Sequence, residues 1–351
     1  IPELAGIFGN RHPGGVVEFV ERVRRRDTTS TGPLVSVPDV PSPYSAPPRG
    51  RLLSSAGSAY LKIAEGCNHS CSFCAIPRIR GGLRTRSSTE LVQEFRALRS
   101  RGIFEFNLIA QDLAAWYEES DAASTGNGGA SAKTRGRRDR FSDLVKILLA
   151  ESGDFWLRPL YLYPDTFPYE IVDIAQRDER FVPYFDLSFQ HAASSILRDM
   201  GRPGSSSLYL DQIKRIRDAV PDVAIRSSFI VGFPGETESE FAALLDFIQN
   251  AELEWVGVFE FSAQAGTPAE RYGDPVPREV KAERRNRLQA VQAEIVTRRL
   301  RRFVGRRLSV LIEEVYRDTD IVIGRTALQA PDVDGVTVVH GVPDGPSGAV
   351  F

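Results

Sequence analysis

"GCNHSCSFCAIPRIRGG", residues 66–82, contains Cys67, Cys71 and Cys74, the only three cysteines among 351 residues. Every thiol of the chain thus falls within one short loop, in an odd number. That arrangement is not a disulfide framework, and it fits a reducing, cytosolic compartment. The spacing, C-x3-C-x2-C, suits metal chemistry. A structural zinc ion takes four ligands, and the alternative open here is zinc with His69 as the fourth. Side chains that close to two ligating cysteines rarely fold back onto the same metal. A four-iron cluster has four corners, each commonly held by one thiolate. Three thiolates leave one iron open to a small molecule, so the absent fourth ligand becomes the functional feature.

Working outward, the loop directly follows an apolar, β-prone run, "AYLKIAE" (59–65). Five similar runs come after it: 105–112, 157–164, 184–191, 223–233 and 255–262. Helical patterns lie between them at Thr89–Arg101, Phe141–Glu151, Tyr169–Arg177, Leu208–Ala219 and Glu238–Asn250. Such alternation predicts βα units around a parallel sheet. Six units are fewer than the eight of a closed barrel, so the expectation is an open six-stranded arc. Reactive sites of such sheets lie at the C-terminal strand ends, where the cysteine loop sits.

Further out, Thr28–Gly57 is rich in Pro, Ser and Gly and predicts an irregular linker. A short helix is expected around Gly15–Arg26, and a mobile insertion at Glu118–Arg140, which is poor in apolar residues. A long charged helix, Arg278–Phe303, leaves the sheet, and "GRRLSVLIEEV" and "GVTVVH" then predict strands of a small β-barrel. The net charge of −2 gives no global attraction to nucleic acid or anionic membrane. No apolar run approaches the roughly 20 residues of a membrane span. The chain opens Ile1-Pro2 and its only methionine is Met200, so it reads as a piece that has lost an N-terminal part.

At this point the sequence resembles a known family. "GCNHSCSFCAIPRIRGGLRTRS" is similar to the radical S-adenosylmethionine (SAM) motif of the methylthiotransferases. "LIAQD", "LYLYPD", "PYFDLSFQHA", "RSSFIVGFPGETESEF" and "GVFEFSAQAGTPA" resemble its RimO branch, which methylthiolates an aspartate of a small-subunit ribosomal protein, the twelfth in standard naming. The resemblance covers nearly all of residues 58–340. It implies an α/β fold, a partial (β/α)6 radical SAM barrel, followed by a small all-β, OB-like TRAM barrel that ends early. The expected division is 1–26 as remnant of an N-terminal methylthiotransferase domain, 27–57 linker, 58–303 radical SAM domain and 304–351 incomplete TRAM domain.

The resemblance also implies a [4Fe-4S] cluster on Cys67, Cys71 and Cys74, with SAM chelating the open iron. Phe73 and Ile76 are expected to wall off cluster and adenine. Gln111 and Asp112 offer polar groups to the methionyl part of SAM, Gln190 to its ribose, and Val231 and Gly232 a backbone contact on the adenine side. His191, beside Gln190, is a second candidate for the ribose, with a structural alternative, since a lone histidine is more often a satisfied core group. Thr237 with Glu240 reads as a capping box, so part of the glycine turn is helix initiation. Arg78, Arg80, Arg84 and Arg86 form a basic stretch for which a solvated face is the default. A second [4Fe-4S] cluster is expected only in the N-terminal domain, and the electron donor is expected to be flavodoxin-like or ferredoxin-like. The sister branch modifies tRNA. Residues 305–351 hold four arginines against seven acidic residues, which disfavours RNA and favours a basic ribosomal protein partner. A non-catalytic, metal-stabilised binding module is the remaining rival.

Overall fold

The computed structural model describes residues 4–9, 15–25, 32–37, 52, 54–118, 140–316, 319–341 and 347–350. The predicted insertion lies almost wholly outside them. At the start, β1 (Gly6–Phe8) and β2 (Leu34–Ser36) pair in parallel, with α1 (Val16–Arg24) between them in sequence. The Pro/Ser-rich stretch is therefore not wholly irregular. Its Leu34-Val35-Ser36 triplet finds a hydrogen-bonding edge that sequence pattern alone does not reveal.

The main body alternates strand and helix. Its first half runs β3 (Ser58–Lys62), β4 (Ala64–Glu65), α2 (Ile76–Arg80), β5 (Arg84–Thr85), α3 (Ser88–Arg99), β6 (Glu105–Ile109), α4 (Arg140–Leu149) and β7 (Trp156–Pro159). Its second half runs α5 (Glu170–Arg177), β8 (Tyr184–Asp186), α6 (Ser194–Asp199), α7 (Ser206–Ala219), β9 (Ala224–Val231), α8 (Glu238–Ala251), β10 (Trp255–Glu260) and α9 (Arg278–Leu300). Parallel pairing joins β3-β6-β7 and β8-β9-β10. Parallel bridges at Leu157–Phe181 and Leu162–Leu187 link the halves. The result is the six-stranded arc, with no pairing between β10 and β3 among the described residues.

Side-chain alternation along each strand sorts the sequence into two faces. Ala59, Leu61, Phe106, Leu108, Leu157, Phe185, Ile225 and Phe229 are fully buried in one apolar core, and burial of such side chains is the main stabilising term. The opposite face carries Ser58, Tyr60 and Lys62 on β3, Glu105 and Asn107 on β6, Arg158 on β7, and Asp186 and Arg226 on neighbouring strands. This polar face lines the lumen.

The C-terminal module is a three-stranded antiparallel sheet of β11 (Val310–Val315), β12 (Ile321–Thr326) and β13 (Thr337–His340). The sequence pattern marks its first and last strands only. The module seats against the lumen. Arg325 Nη2 lies 2.6 Å from Glu105 Oε2, and Arg158 Nη2 lies 2.7 Å from Glu105 Oε1. Tyr60 Oη donates to Asp332 Oδ2 at 2.9 Å, and Tyr184 Oη to Asp334 Oδ2 at 2.7 Å. Burial works against ionisation of Glu105, but the two guanidiniums outweigh it and hold the carboxyl down to about 2. These contacts occupy the N-terminal end and middle of the lumen and leave the C-terminal strand ends to the cysteine loop.

Candidate functional site

The turn into the loop needs glycine. Gly66 has φ of +81°, and a Cβ there would stand 2.2 Å from the carbonyl oxygen of Gly82. The amide of Cys67 donates to Gly81 O at 3.3 Å, closing the loop on its own far end. Ser72 then clamps the loop from below. Its amide donates to Met200 O at 2.8 Å and its hydroxyl to Asp199 O at 2.7 Å, both at the C-terminal end of α6. Ala269 N donates to Ser72 O at 2.8 Å, adding a strap from beyond β10.

So held, Cys67, Cys71 and Cys74 face one cavity of about 370 Å3 at the C-terminal strand ends. Burial pushes the Cys67 thiol up to about 11 and raises that of Cys74. Donors surround the sulfurs: His69 N to Cys67 Sγ at 3.4 Å, and Arg202 Nη1 to Cys71 Sγ at 3.8 Å. Such contacts suit thiolates that carry metal. A zinc ion would need its ligands about 2.3 Å from one point. Among the described residues no three His, Cys, Asp or Glu side chains converge on a single ion.

His69 is engaged elsewhere. Its Nε2 is 2.8 Å from Asp112 Oδ2, and its ring stacks on Tyr163 with centroids 3.8 Å apart. The guanidinium of Arg202 lies 3.8 Å from the centroid of Tyr163. Two planar groups that near one ring occupy opposite faces, so Asp112, His69, Tyr163 and Arg202 form a continuous brace ending at Cys71. Arg202 also donates to Ser188 O.

Of the residues expected around SAM, Phe73, Ile76, Gln111 and Gln190 line the cavity. Gln111 Oε1 is buried with no hydrogen-bond partner among the described residues, and a buried acceptor of that kind is normally paired. Asp112, Val231 and Gly232 are not among the lining residues. Asp112 accepts from Ala114 N at 3.0 Å besides holding His69. Val231 is fully buried, and its carbonyl accepts from Phe261 N at 2.9 Å. The amide of Gly232 donates to the Glu236 carboxylate, and a Cβ there would stand 2.4 Å from Lys281 Cγ. The glycine is required by packing. His191 is fully buried outside the cavity lining, with Nδ1 accepting from Ala193 N at 3.0 Å and Nε2 3.9 Å from Glu236 Oε1. The arginine stretch is not simply solvated: Arg80 and Arg84 meet Glu65, Arg86 meets Glu94 and Arg78 donates to Gly266 O.

Sequence reasoning missed Lys62, Tyr161, Tyr163, Ser188 and Arg202, all of which line the cavity. Tyr161 and Gln190 have φ of 67° and 69°, a region that side-chain-bearing residues rarely adopt. Both stand beyond adjacent strand ends on the wall of the cavity.

The family model described as the radical SAM superfamily matches residues 61–248, and that of the TRAM domain matches 304–351. The chain is 39% identical to the ribosomal protein uS12 methylthiotransferase RimO of Thermus thermophilus, over 97% of this chain and 73% of the relative. It is 38% identical to the enzyme of the same name from Moorella thermoacetica, over 100% of this chain and 74% of the relative. Among solved structures, the radical SAM methyltransferase TsrM of Kitasatospora setae, with tryptophan and a SAM analogue bound, shares the fold. Its TM-score is 0.50 at 15% identity, covering 72% of this chain and 50% of that one.

Proposed function

The chain belongs to the radical SAM superfamily and, within it, to the RimO family, and we propose that it adds a methylthio group to the β-carbon of an aspartate in ribosomal protein uS12. One observation carries the reading: three thiols, with no other cysteine in the chain, face a cavity at the C-terminal ends of parallel strands. Cys67, Cys71 and Cys74 would hold a [4Fe-4S] cluster. Bound together, cluster and SAM supply the electron and the radical chemistry that acts on an unactivated carbon.

The protein's own part is positional. Phe73 and Ile76 keep water from the cavity. Gln111, whose Oε1 has no partner among the described residues, and Gln190, held in its unusual backbone state, present polar groups to SAM. Asp112 acts at one remove, fixing His69 and through it the ring that carries Arg202 beside Cys71. Val231 and Gly232 shape the end of β9 without lining the cavity. A basic ribosomal protein suits the acidic C-terminal module, whose four arginines face seven acidic residues.

Anaerobic reconstitution followed by iron and sulfide analysis tests the cluster. Alanine at any one of the three cysteines is expected to abolish the broad visible absorption. Stoichiometric zinc with no bound iron would end the radical reading. For the substrate, incubation of uS12 with the reduced holoenzyme and SAM should give a methylthiolated aspartate by mass spectrometry. Modification of tRNA instead would assign the chain to the other branch.

A further inference from the structure

Lys62 ends β3, five residues before the first cysteine, and its side chain lies on the lumen face with Ser58 and Tyr60. The neighbours on the other face, Leu61 and Ile63, are fully buried in the apolar core. The register therefore commits the ammonium to the cavity, which Lys62 lines together with Ile109, Gln111 and Tyr161. Among the described residues lining that cavity, none is Asp or Glu, and Lys62 and Arg202 are its lysine and arginine.

The two cations are placed differently. Arg202 is bound over the cluster end, against Cys71 Sγ, the Tyr163 ring and Ser188 O. Lys62 stands on the first strand, its Nζ 3.2 Å from Glu65 Oε1. Glu65 aims the ammonium but does not neutralise the neighbourhood, because Arg80 and Arg84 approach the same carboxylate at 2.6 and 3.7 Å. Three cations thus meet one acid at the edge of a cavity that has no acid of its own. An anionic group is the complement of such a wall, and a compact ammonium with three donors takes a carboxylate well.

We propose that Lys62 is the specificity-determining residue of the site, recognising the carboxylate of the acidic side chain to be modified. The inference rests on the reading of the substrate as an aspartate of uS12. Lys62 selects acid over amide and sets the position of the β-carbon against the reacting end of the cavity, by holding the carboxylate one bond away from it.

The test compares anaerobic binding of two peptides to the SAM-loaded holoenzyme. Both come from the modified segment of uS12, one with the target aspartate and the other with asparagine there. The wild type should prefer the aspartate peptide by about tenfold or more, as for a hydrogen bond to a charged group. Lys62→Gln should bring the ratio to within about twofold, and Lys62→Arg should restore most of it. The visible absorption of the cluster reports that each variant has folded. Lys62→Met, which keeps the aliphatic stem, serves the same comparison where the glutamine variant loses its cluster. Equal binding of both peptides by the wild type, or an undiminished ratio in Lys62→Gln and Lys62→Met, overturns the assignment of Lys62 alone. Binding of neither peptide by the wild type overturns the uS12 reading itself, and this inference with it.

Discussion

Gly66 shows what one position can decide. A methyl there would stand 2.2 Å from Gly82 O on a backbone whose φ is +81°, so both sterics and torsion oppose any side chain. Gly66→Ala is therefore expected to shift the loop and cut iron incorporation severalfold, read as iron per chain after reconstitution. Full iron content in that variant would show that the loop tolerates the shift. The cysteines themselves were legible because composition isolates them. Lys62 was not, because a lone lysine in a strand looks like any solvated charge until the register shows which face it takes. Asp112 stands next to the cavity-lining Gln111 but outside the lining itself, and its carboxylate is spent on His69 and a helical cap.

At the scale of elements, periodicity and capping were good guides. Helix α8 begins at the expected box: Thr237 Oγ1 accepts from the backbone and Glu240 reaches back to the amide of Thr237 at 3.2 Å. Thr237→Ala should destabilise the protein by about 1 kcal/mol, seen as a lower thermal midpoint, while the iron content stays at the wild-type level. An unchanged midpoint would mean that tertiary packing alone holds that terminus. Helix α6 escaped prediction. It has six residues and no side-chain cap, too short for a periodic signal, yet its C-terminal carbonyls clamp Ser72. Strand β12 escaped for a similar reason, its apolar triplet being followed by Gly324 and Arg325, which alternation does not favour. Its arginine is nevertheless the anchor of the module.

For the whole molecule, Glu105 is the joint between the sheet and the C-terminal module. Glu105→Gln would leave Arg158 and Arg325 buried against a neutral acceptor, at a cost of about 3 kcal/mol or more. Thermal or denaturant unfolding should report that loss. The ionised carboxyl is favoured in the folded state, since its value falls from 4.5 to about 2. Its contribution is therefore complete above pH 4.5 and is lost as the pH falls toward about 2. The acid limb of the stability profile should flatten in Glu105→Gln over that window. An unaltered limb would place the pH sensitivity elsewhere.

The sequence by itself determined the chemistry and the class of fold. Clustered thiols, alternating strand and helix runs and a terminal β-rich segment are local patterns, and local patterns survive in one dimension. Only the tertiary structure decided which residues share the cavity. Tyr163 follows β7, Ser188 and Arg202 follow β8 at separate points of its unit, and Lys62 joins them through strand register. Their meeting depends on how six strands curve around one lumen. No spacing along the chain encodes that curvature, because it follows from sheet twist and from the packing of helices on the outer face.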